Sequence, residues 1–347
     1  MQLHYLVTGH TGFKGAWLTL LLKSQGHTVS GIALDPEEKS LFNQANIGEL
    51  LLNDFRLDIR YLDDFSEVVK STNPDIAIHL AAQSLVRDSY RDPALTFETN
   101  VLGTLNFLRA TEQLKNLKSR LVVTTDKVYK HKLPNKPFVE EDELGGSDPY
   151  SASKAMADIL TQSWINQDRR IPTMIARAGN VIGGGDYSHE RLLPNLLESF
   201  ISKQVPVLRY PAAIRPWQHV LDCLDAYLLL IDNSESTKQF STWNIGPIPS
   251  EIKEVSDVTE MVARSLGVEP TWEHAARSEF KEQDWLVLDS SRIRNELNWT
   301  ESLNLEKSIA WTCDWHLGAL EGMPARDLCY GQIASYLELQ SKKKRFA

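Results

Sequence analysis

Residues 4–15 read HYLVTGHTGFKG, a short apolar strand that runs into a glycine-rich turn and then into a helical stretch. Gly9, Gly12 and Gly15 have the spacing G-x-x-G-x-x-G. The first glycine lets the backbone turn sharply, the second removes a Cβ where a pyrophosphate must approach, and the third lets the helix lie close to the sheet. Free N–H groups and the positive end of the helix dipole then face the phosphates. The segment predicts a dinucleotide-binding turn, with a plain glycine-rich turn as the alternative.

The end of the next strand indicates which dinucleotide fits. Asp35 follows that strand about twenty residues beyond the glycines, where a carboxylate accepts hydrogen bonds from both ribose hydroxyls and repels a 2′-phosphate. NAD is therefore favoured over NADP, although Asp35-Pro36 is also a plausible turn. Asp58 is a candidate acceptor for the adenine amino group, unless it caps a helix. The small residues Ala81 and Ala82 permit close approach of a flat cofactor, or serve core packing.

Strands and helices alternate over the first half of the chain. Short apolar stretches predict further strands at Thr28–Leu34, Phe55–Ile59, Asp75–Leu80, the run that ends at Val123, and Ile171–Arg177. This alternation predicts a doubly wound parallel α/β sheet of the Rossmann type. After about residue 186 the alternation loosens. We therefore predict an NAD-binding domain at 1–186, to which about 207–245 return, and a smaller, discontinuous C-terminal substrate-binding lobe within 187–347.

Reactive side chains follow one of these strands directly. Residues 122–129 read VVTTDKVY, so a buried strand delivers hydroxyl, carboxylate and amine groups at its carboxyl end, where ligands bind in open parallel sheets. Tyr150 and Lys154 stand one helical turn apart on one face of a later helix. Together these groups offer an acid, a base and a cation. A solvated turn after the strand, and a chance helical spacing for the pair, are the alternatives.

Composition limits the class of protein. The chain has 347 residues, 42% of them hydrophobic, and a formal charge of −9 with scattered Lys and Arg, which argues against nucleic acid as a partner. It lacks a run of the roughly 20 apolar residues that span a bilayer, and Met1 leads straight into a strand, so a cytoplasmic protein without a membrane partner is expected. Cys223, Cys313 and Cys329 are far apart and not in metal spacing, which predicts reduced buried thiols and no metal site.

Six segments, in order, resemble the extended short-chain dehydrogenase/reductase family of sugar-nucleotide enzymes. They are the glycine motif, His79–Ser84, Thr124–Tyr129, the Tyr150 and Lys154 pair, Arg177–Gly183 and the segment around Arg215. The resemblance covers nearly the whole chain. The sequences of segments 8–15, 81–87, 177–186 and 215–220 resemble in particular the branch of the family that acts on CDP-glucose. Related enzymes for dTDP-glucose carry Asp-Glu in place of Asp126-Lys127. This chain departs from its branch with Thr125 for Ser and Asn195 for Asp.

The resemblance implies a reaction as well as a fold. It implies conversion of CDP-D-glucose to CDP-4-keto-6-deoxy-D-glucose by C4 oxidation to NAD, loss of water across C5 and C6, and hydride return to C6. Tyr150, its pKa lowered by Lys154 and the nicotinamide, is the implied base at C4, with Thr125 aligning the hydroxyl. Asp126 is the implied acid and Lys127 the implied base of the water loss, unless the two exchange or share these roles. Another NAD-dependent sugar-nucleotide dehydratase, a 4-epimerase and a non-catalytic nucleotide-binding protein are the alternatives.

The resemblance also implies the binding residues. For the cofactor these are Gly9, Thr11, Gly12, Phe13, Gly15, Asp35, Asp58, Ile59, Leu80, Ala81, Ala82, Asn100, Thr124, Tyr150, Lys154 and Arg177. For the nucleotide sugar they are Ser84, Arg87, Asn180, Arg191, Arg209, Arg215 and His219. Guanidinium groups suit a diphosphate because they make forked contacts, although a surface ion pair is the alternative for each. The apolar helices 96–115 and 151–166 predict a homodimer or homotetramer.

Overall fold

Mainly apolar residues that are buried in the core form the central sheet. The computed structural model describes residues 1–131, 136–167, 170–189, 191–237, 241–275 and 284–346. Its strands are β1 His4–Thr8, β2 Thr28–Ala33, β3 Asn53–Arg56, β4 Ile76–His79, β5 Ser119–Val123, β6 Thr173–Ala178, β7 Asn180–Ile182, β8 Val207–Leu208, β9 Ile214–Arg215, β10 Trp217–His219, β11 Thr242–Ile245, β12 Lys253–Glu254 and β13 Glu273–His274. Over the described residues, seven of them form a parallel sheet in the order β11-β6-β5-β4-β1-β2-β3.

Helices cover both faces of this sheet. They are α1 Phe13–Ser24, α2 Leu41–Gln44, α3 Leu62–Thr72, α4 Val86–Arg91, α5 Pro93–Phe97, α6 Gly103–Glu112, α7 Pro149–Gln167, α8 Leu192–Ile201, α9 Val220–Asp232, α10 Val255–Ser265, α11 Ser291–Leu297, α12 Leu305–Leu320 and α13 Ala325–Phe346. The predicted doubly wound α/β fold is confirmed. Among the described helices, none is both long and apolar enough to cross a bilayer. The three cysteines are buried free thiols.

Several element boundaries differ from the prediction. The third strand ends at Arg56 rather than Ile59, because the Asp58 side chain accepts a hydrogen bond from the Arg60 backbone N–H and turns the chain. The helix predicted over 96–115 is wrong at its ends and in its continuity. Helical structure begins at Pro93, passes through a π-helical turn at Glu98–Leu102, and ends at Glu112. Sequence spacing does not reveal the extra residue of a π-helical turn.

The part after β7 is built from short pieces. β7 pairs with β10, β9 with β12, and β8 with β13. Buried apolar residues of α8, α10 and α12 pack into one cluster, which gives this part its own core. β11 and α9 belong instead to the central sheet and its largest core cluster. The domain boundary at residue 186 and the assignment of about 207–245 to the NAD-binding domain stay predictions. Within 207–245, β8 pairs with β13 and not with the central sheet.

Candidate active site

A cavity of about 400 Å³ lies at the carboxyl ends of the middle strands. Leu80 and Ala82 line it after β4, Val123–Lys127 after β5, and Ala178–Asn180 after β6. Parallel strands deliver their carboxyl ends to one edge, and that edge is where open α/β sheets bind ligands. The cavity therefore collects side chains that are far apart in sequence.

Thr125 organises the reactive groups after β5. It is the N-cap of a single 3₁₀ turn at Asp126–Val128 and accepts a hydrogen bond from the Lys127 backbone N–H at 3.4 Å. Its hydroxyl lies 3.0 Å from Asp126 Oδ1, to which it donates, and is also within hydrogen-bonding reach of the Tyr150 phenol. Asp126, Lys127 and Tyr150 all line the same cavity. The turn thus places a carboxyl beside the Thr125 hydroxyl, α7 brings a phenol within its reach, and the Lys127 side chain lines the same cavity.

Asp126 is a buried carboxyl with one oxygen left over. The residue is only 2% exposed to solvent. Its Oδ2 has no hydrogen-bond partner among the described residues. Burial raises the Asp126 pKa, while the nearby Lys127 charge and the Thr125 hydrogen bond act in the opposite direction. Gly179 makes room for it, because a Cβ there would lie 3.2 Å from Oδ2. A carboxyl with a raised pKa is suited to donate a proton.

The Tyr150 and Lys154 pair lies on the cavity wall. Lys154 Nζ donates to the Val123 carbonyl at 2.8 Å. Burial raises the pKa of Tyr150 to about 12, and burial together with the Lys14 charge lowers the pKa of Lys154 to about 7. Desolvation is thus the larger effect on the phenol in the protein without its cofactor, and the lowering of the Tyr150 pKa by Lys154 and the nicotinamide stays a prediction.

Lys14 is a cavity residue that the sequence reasoning missed. It stands between Gly12 and Gly15, yet its Nζ points into the interior and donates to Tyr227 Oη at 3.3 Å. Burial lowers the Lys14 pKa, and its charge acts on Lys154 and Asp126. A lysine in a glycine turn is typical of a solvated loop, so there was little reason in the sequence to expect Lys14 in the cavity. Its position between two glycines that pack closely was the one feature that pointed to burial.

The glycine turn has the shape of a phosphate cradle. Gly9 has φ +74°, and a Cβ there would lie 2.7 Å from Ala81 N, while a Cβ at Gly15 would lie 2.3 Å from Gly9 O. The helix α1 begins at Phe13 after the N-cap Gly12, which has no side chain to cap it, so the first N–H groups of the helix lack a side-chain cap. Thr11 Oγ1 donates to Leu34 O at 3.2 Å and ties the turn to the end of β2. These features fit a bound dinucleotide pyrophosphate.

Most of the other predicted cofactor residues lie near this cradle or the cavity. Leu80, Ala82 and Thr124 line the cavity. Asp35 is exposed at the end of β2 and 3.6 Å from Arg56 Nε. Asp58 is paired with Arg60 at 2.7 Å, and the helix-cap alternative for Asp58 is wrong because α3 begins after Tyr61.

Three predicted cofactor residues are buried in the protein framework instead. Arg177 is 1% exposed, pairs with Asp158 at 2.7 Å and donates to Tyr129 Oη at 2.9 Å. Asn100 bonds the Gln83 backbone N–H and, at 2.9 Å, Ser153 Oγ. The Ile59 side chain fills the space that Gly103 leaves, where a Cβ would lie 2.4 Å from Ile59 Cδ1. Their assignment to the cofactor stays a prediction, and the structure shows that their side chains are used by neighbouring elements.

The predicted substrate residues divide in the same way. Those that line the cavity are Ser84, Arg87, Asn180, Arg191, Arg209 and Arg215. His219 does not, because it is fully buried, accepts a hydrogen bond from the Leu221 backbone N–H at 3.2 Å, and packs edge-on against Trp17 and Trp311. The prediction for His219 is therefore wrong: it is the N-cap of α9.

Known proteins are similar to this chain in sequence and in architecture. Residues 5–246 match the NAD dependent epimerase/dehydratase family. The CDP-glucose 4,6-dehydratase of Salmonella typhimurium is 33% identical over 97% of this chain and 96% of its own length. The dTDP-glucose 4,6-dehydratase of Bacillus anthracis, solved in complex with NAD, superposes with a TM-score of 0.80 over 92% of this chain and 98% of that one, at 22% identity. The UDP-glucose 4-epimerase of Thermotoga maritima, solved with UDP-glucose, gives 0.80 over 91% and 99%, at 20% identity.

Proposed function

The chain belongs to the NAD dependent epimerase/dehydratase family, and from that premise we propose that it converts CDP-D-glucose to CDP-4-keto-6-deoxy-D-glucose and water with NAD as its cofactor. The observation that carries the proposal is the convergence of Asp126 and Lys127 with Thr125 and Tyr150 on one cavity. An epimerase needs no acid and base for the loss of water. The full-length similarity to a CDP-glucose 4,6-dehydratase supports the choice of sugar nucleotide.

The first step is oxidation at C4. Bound NAD supplies the chemistry of taking a hydride from C4 and returning it later to C6. Tyr150 removes the proton of the 4-hydroxyl, and Thr125, within reach of the phenol, aligns that hydroxyl. Because burial raises the pKa of Tyr150 to about 12, the phenolate needs positive charge nearby. We propose that Lys154, whose ammonium donates to the Val123 carbonyl in the same cavity, supplies it together with Arg191, whose charge lowers the Tyr150 pKa.

The second step is loss of water across C5 and C6. The 4-ketone acidifies the proton on C5, which Lys127 takes, while Asp126 gives a proton to the departing 6-hydroxyl so that it leaves as water. When hydride is returned to C6, C5 takes back a proton from Lys127, and this proton exchanges with solvent. The raised pKa of Asp126 supports its part as the acid, and its unpartnered Oδ2 is available to a ligand. Exchange of the two roles, or their sharing through a water molecule, is the alternative within this mechanism.

The substrate diphosphate needs cations away from the reacting carbons. We propose Arg191, Arg209 and Arg215, which line the cavity from the part of the chain after residue 186. Arg191 is held by Asp186 at 3.1 Å, which orients its guanidinium. Forked guanidinium contacts suit a diphosphate. We accordingly propose 1–186 as the cofactor domain and 187–347 as the main source of the substrate lobe.

A panel of sugar nucleotides tests the proposal. The protein is incubated with catalytic NAD and the glucose conjugates of CDP, dTDP, UDP or GDP, and the products are identified by NMR. We expect a 4-keto-6-deoxy product, formed with the highest kcat/KM from the CDP sugar. Preferred turnover of another nucleotide, or formation of the C4 epimer, contradicts it.

Lys14 gives a pH prediction. Burial and the Lys14 charge hold the pKa of Lys154 at about 7, so the ammonium that stabilises the phenolate is lost as the pH rises through that value. Replacing Lys14 with Met removes the repelling charge, and we expect the alkaline limb of the single-turnover rate of C4 oxidation to move to higher pH. Lys14→Arg, which keeps a charge, serves as the matched control. An unchanged limb in Lys14→Met contradicts the assigned coupling.

Exposed apolar side chains on neighbouring helices support the proposed homo-oligomer. Leu95 on α5, Leu102 at the end of the π-helical turn, and Met156 and Ile159 on α7 are 37%, 49%, 48% and 53% exposed. We expect Met156→Lys combined with Ile159→Lys to reduce the mass measured by light scattering to that of a monomer, because burying two lysines in an apolar contact is unfavourable. Lysines at the exposed Leu320 and Met323 on the far end of the chain are the control. An unchanged mass contradicts an interface through these helices.

A further inference from the structure

Arg56 lies where a cofactor phosphate could use it. It ends β3, next to the end of β2, and its Nε is 3.6 Å from the exposed carboxylate of Asp35. A carboxylate at the end of β2 contacts the adenosine ribose, and an arginine nearby accommodates the 2′-phosphate of NADP. Asp35 and Arg56 together therefore leave the selectivity of this end of the site open.

Arg56 is, however, held on three sides. Its Nη2 donates to Asp54 Oδ2 at 2.8 Å, and the guanidinium stacks 5.0 Å from the centre of the Phe42 ring. Its Nη1 lies 3.3 Å from His10 Nε2. The two terminal nitrogens of the guanidinium therefore both have neighbours, one the carboxylate of Asp54 on the same strand and the other the His10 ring.

Asp54 is itself anchored from inside the protein. Its Oδ1 lies 2.8 Å from Nε2 of His10, which is fully buried in the glycine turn. Gly31 on β2 makes this possible, because a Cβ there would lie 2.3 Å from the His10 ring. Burial lowers the His10 pKa, so the imidazole adds no positive charge at neutral pH. Asp35, Asp54 and Arg56 then sum to a charge of −1 beside the ribose position, which opposes a 2′-phosphate.

We propose that Asp54 determines cofactor selectivity by acting through Arg56: it holds the guanidinium on β3 and so denies the 2′-phosphate of NADP the forked cation that Arg56 would otherwise provide. Asp54 is a positioning residue in this account. The inference rests on the proposed function only for the identity of the cofactor, and it concerns binding rather than turnover.

Calorimetric titration of the full chain with NAD and with NADP tests the inference. Asp54→Asn keeps an oxygen that accepts from His10 but removes the charge that holds Arg56. We expect the ratio of the NADP Kd to the NAD Kd to fall by about tenfold or more, as for gain of one charge-assisted contact. In the double variant Asp54→Asn with Arg56→Met, the ratio should return to the wild-type value, because the released cation is gone.

Two outcomes overturn the proposal. One is an unchanged ratio in Asp54→Asn that still binds NAD, and the other is a fall that persists in the double variant, since the gain would then not pass through Arg56. Asp54→Ser makes the same charge change and replaces Asp54→Asn if the latter unfolds below the assay temperature. A fall in the ratio with no turnover of CDP-glucose would support this inference and reject the proposed substrate, so the two failures are distinguishable.

Discussion

Replacing Lys127 with Met is expected to leave C4 oxidation intact while the loss of water slows by two or more orders of magnitude. The amine lies on the turn capped by Thr125 and is the proposed base at C5, and removal of a general base typically costs about 10²–10⁴ in rate. The variant should therefore accumulate enzyme-bound NADH after CDP-glucose is added, since hydride return requires that water has left. Stopped-flow absorbance of NADH measures the first step, and NMR of the 4-keto-6-deoxy product measures the whole reaction.

Lys130→Met is the matched control for this variant. Lys130 lies three residues later, is exposed, and pairs with Glu143 at 3.1 Å, so it is a lysine of the same segment that does not line the cavity. It should turn over at close to the wild-type rate. Product formation by Lys127→Met at more than a tenth of the wild-type rate would remove Lys127 from its proposed role.

Replacing Tyr150 with Phe is expected to stop the reaction one step earlier. The phenol is the proposed base for the 4-hydroxyl, so C4 oxidation should fall by about 10³-fold or more when it is removed. No bound NADH should form on addition of CDP-glucose, in contrast to Lys127→Met. Calorimetric binding of CDP-glucose should stay within a few-fold of wild type, because the phenyl ring is retained.

The contrast between these variants separates a lost step from a damaged protein. If Tyr150→Phe still formed NADH at a rate near that of wild type, another group must remove the proton, and the assignment of Tyr150 would be withdrawn. If both variants lost binding of CDP-glucose, the substitutions would have changed the cavity itself. Both outcomes are detected by measuring the formation of bound NADH and the calorimetric binding of CDP-glucose.

Local spacing predicted the features that depend on local structure. The glycine turn, the alternation of strands and helices, and the cluster from Thr125 to Lys127 follow from patterns within about fifteen residues. The structure shows the predicted parallel sheet, with the cluster at the carboxyl ends of its strands. The Tyr150 and Lys154 pair was found by helical periodicity, which fixes a shared face without fixing its surroundings. Patterns of this kind predict on which face of its own helix or strand a side chain lies.

Partners brought from distant parts of the chain could not be predicted. Lys14 was missed because its partner Tyr227 lies on α9, more than two hundred residues away. Arg177 was assigned to the cofactor, yet its charge is neutralised by Asp158 in the interior. His219 was assigned to the substrate, yet it is buried between two tryptophans. In each case burial and one tertiary contact determine the role of the residue. Neither can be predicted from the residues that are adjacent in sequence.

The charges at the cofactor end show the same limit. Asp35 alone predicted NAD, because a carboxylate at the end of the second strand repels a 2′-phosphate. The structure adds Arg56 beside it and Asp54 behind Arg56, with His10 from the glycine turn completing the chain of contacts. The charge at this position is therefore set by contacts among four residues from three segments, and Asp35 alone does not describe it.

The most direct measurement of the central claim is the balance of cofactor against product. CDP-glucose is given to the protein in deuterated water with a trace of NAD, while NADH absorbance and NMR of the sugar are followed together. If Tyr150, Asp126 and Lys127 act around one bound nicotinamide, many molecules of CDP-4-keto-6-deoxyglucose should form per NAD, with deuterium at C5 and without net NADH. Accumulation of NADH in step with product, or a product that retains its 6-hydroxyl, would contradict the account.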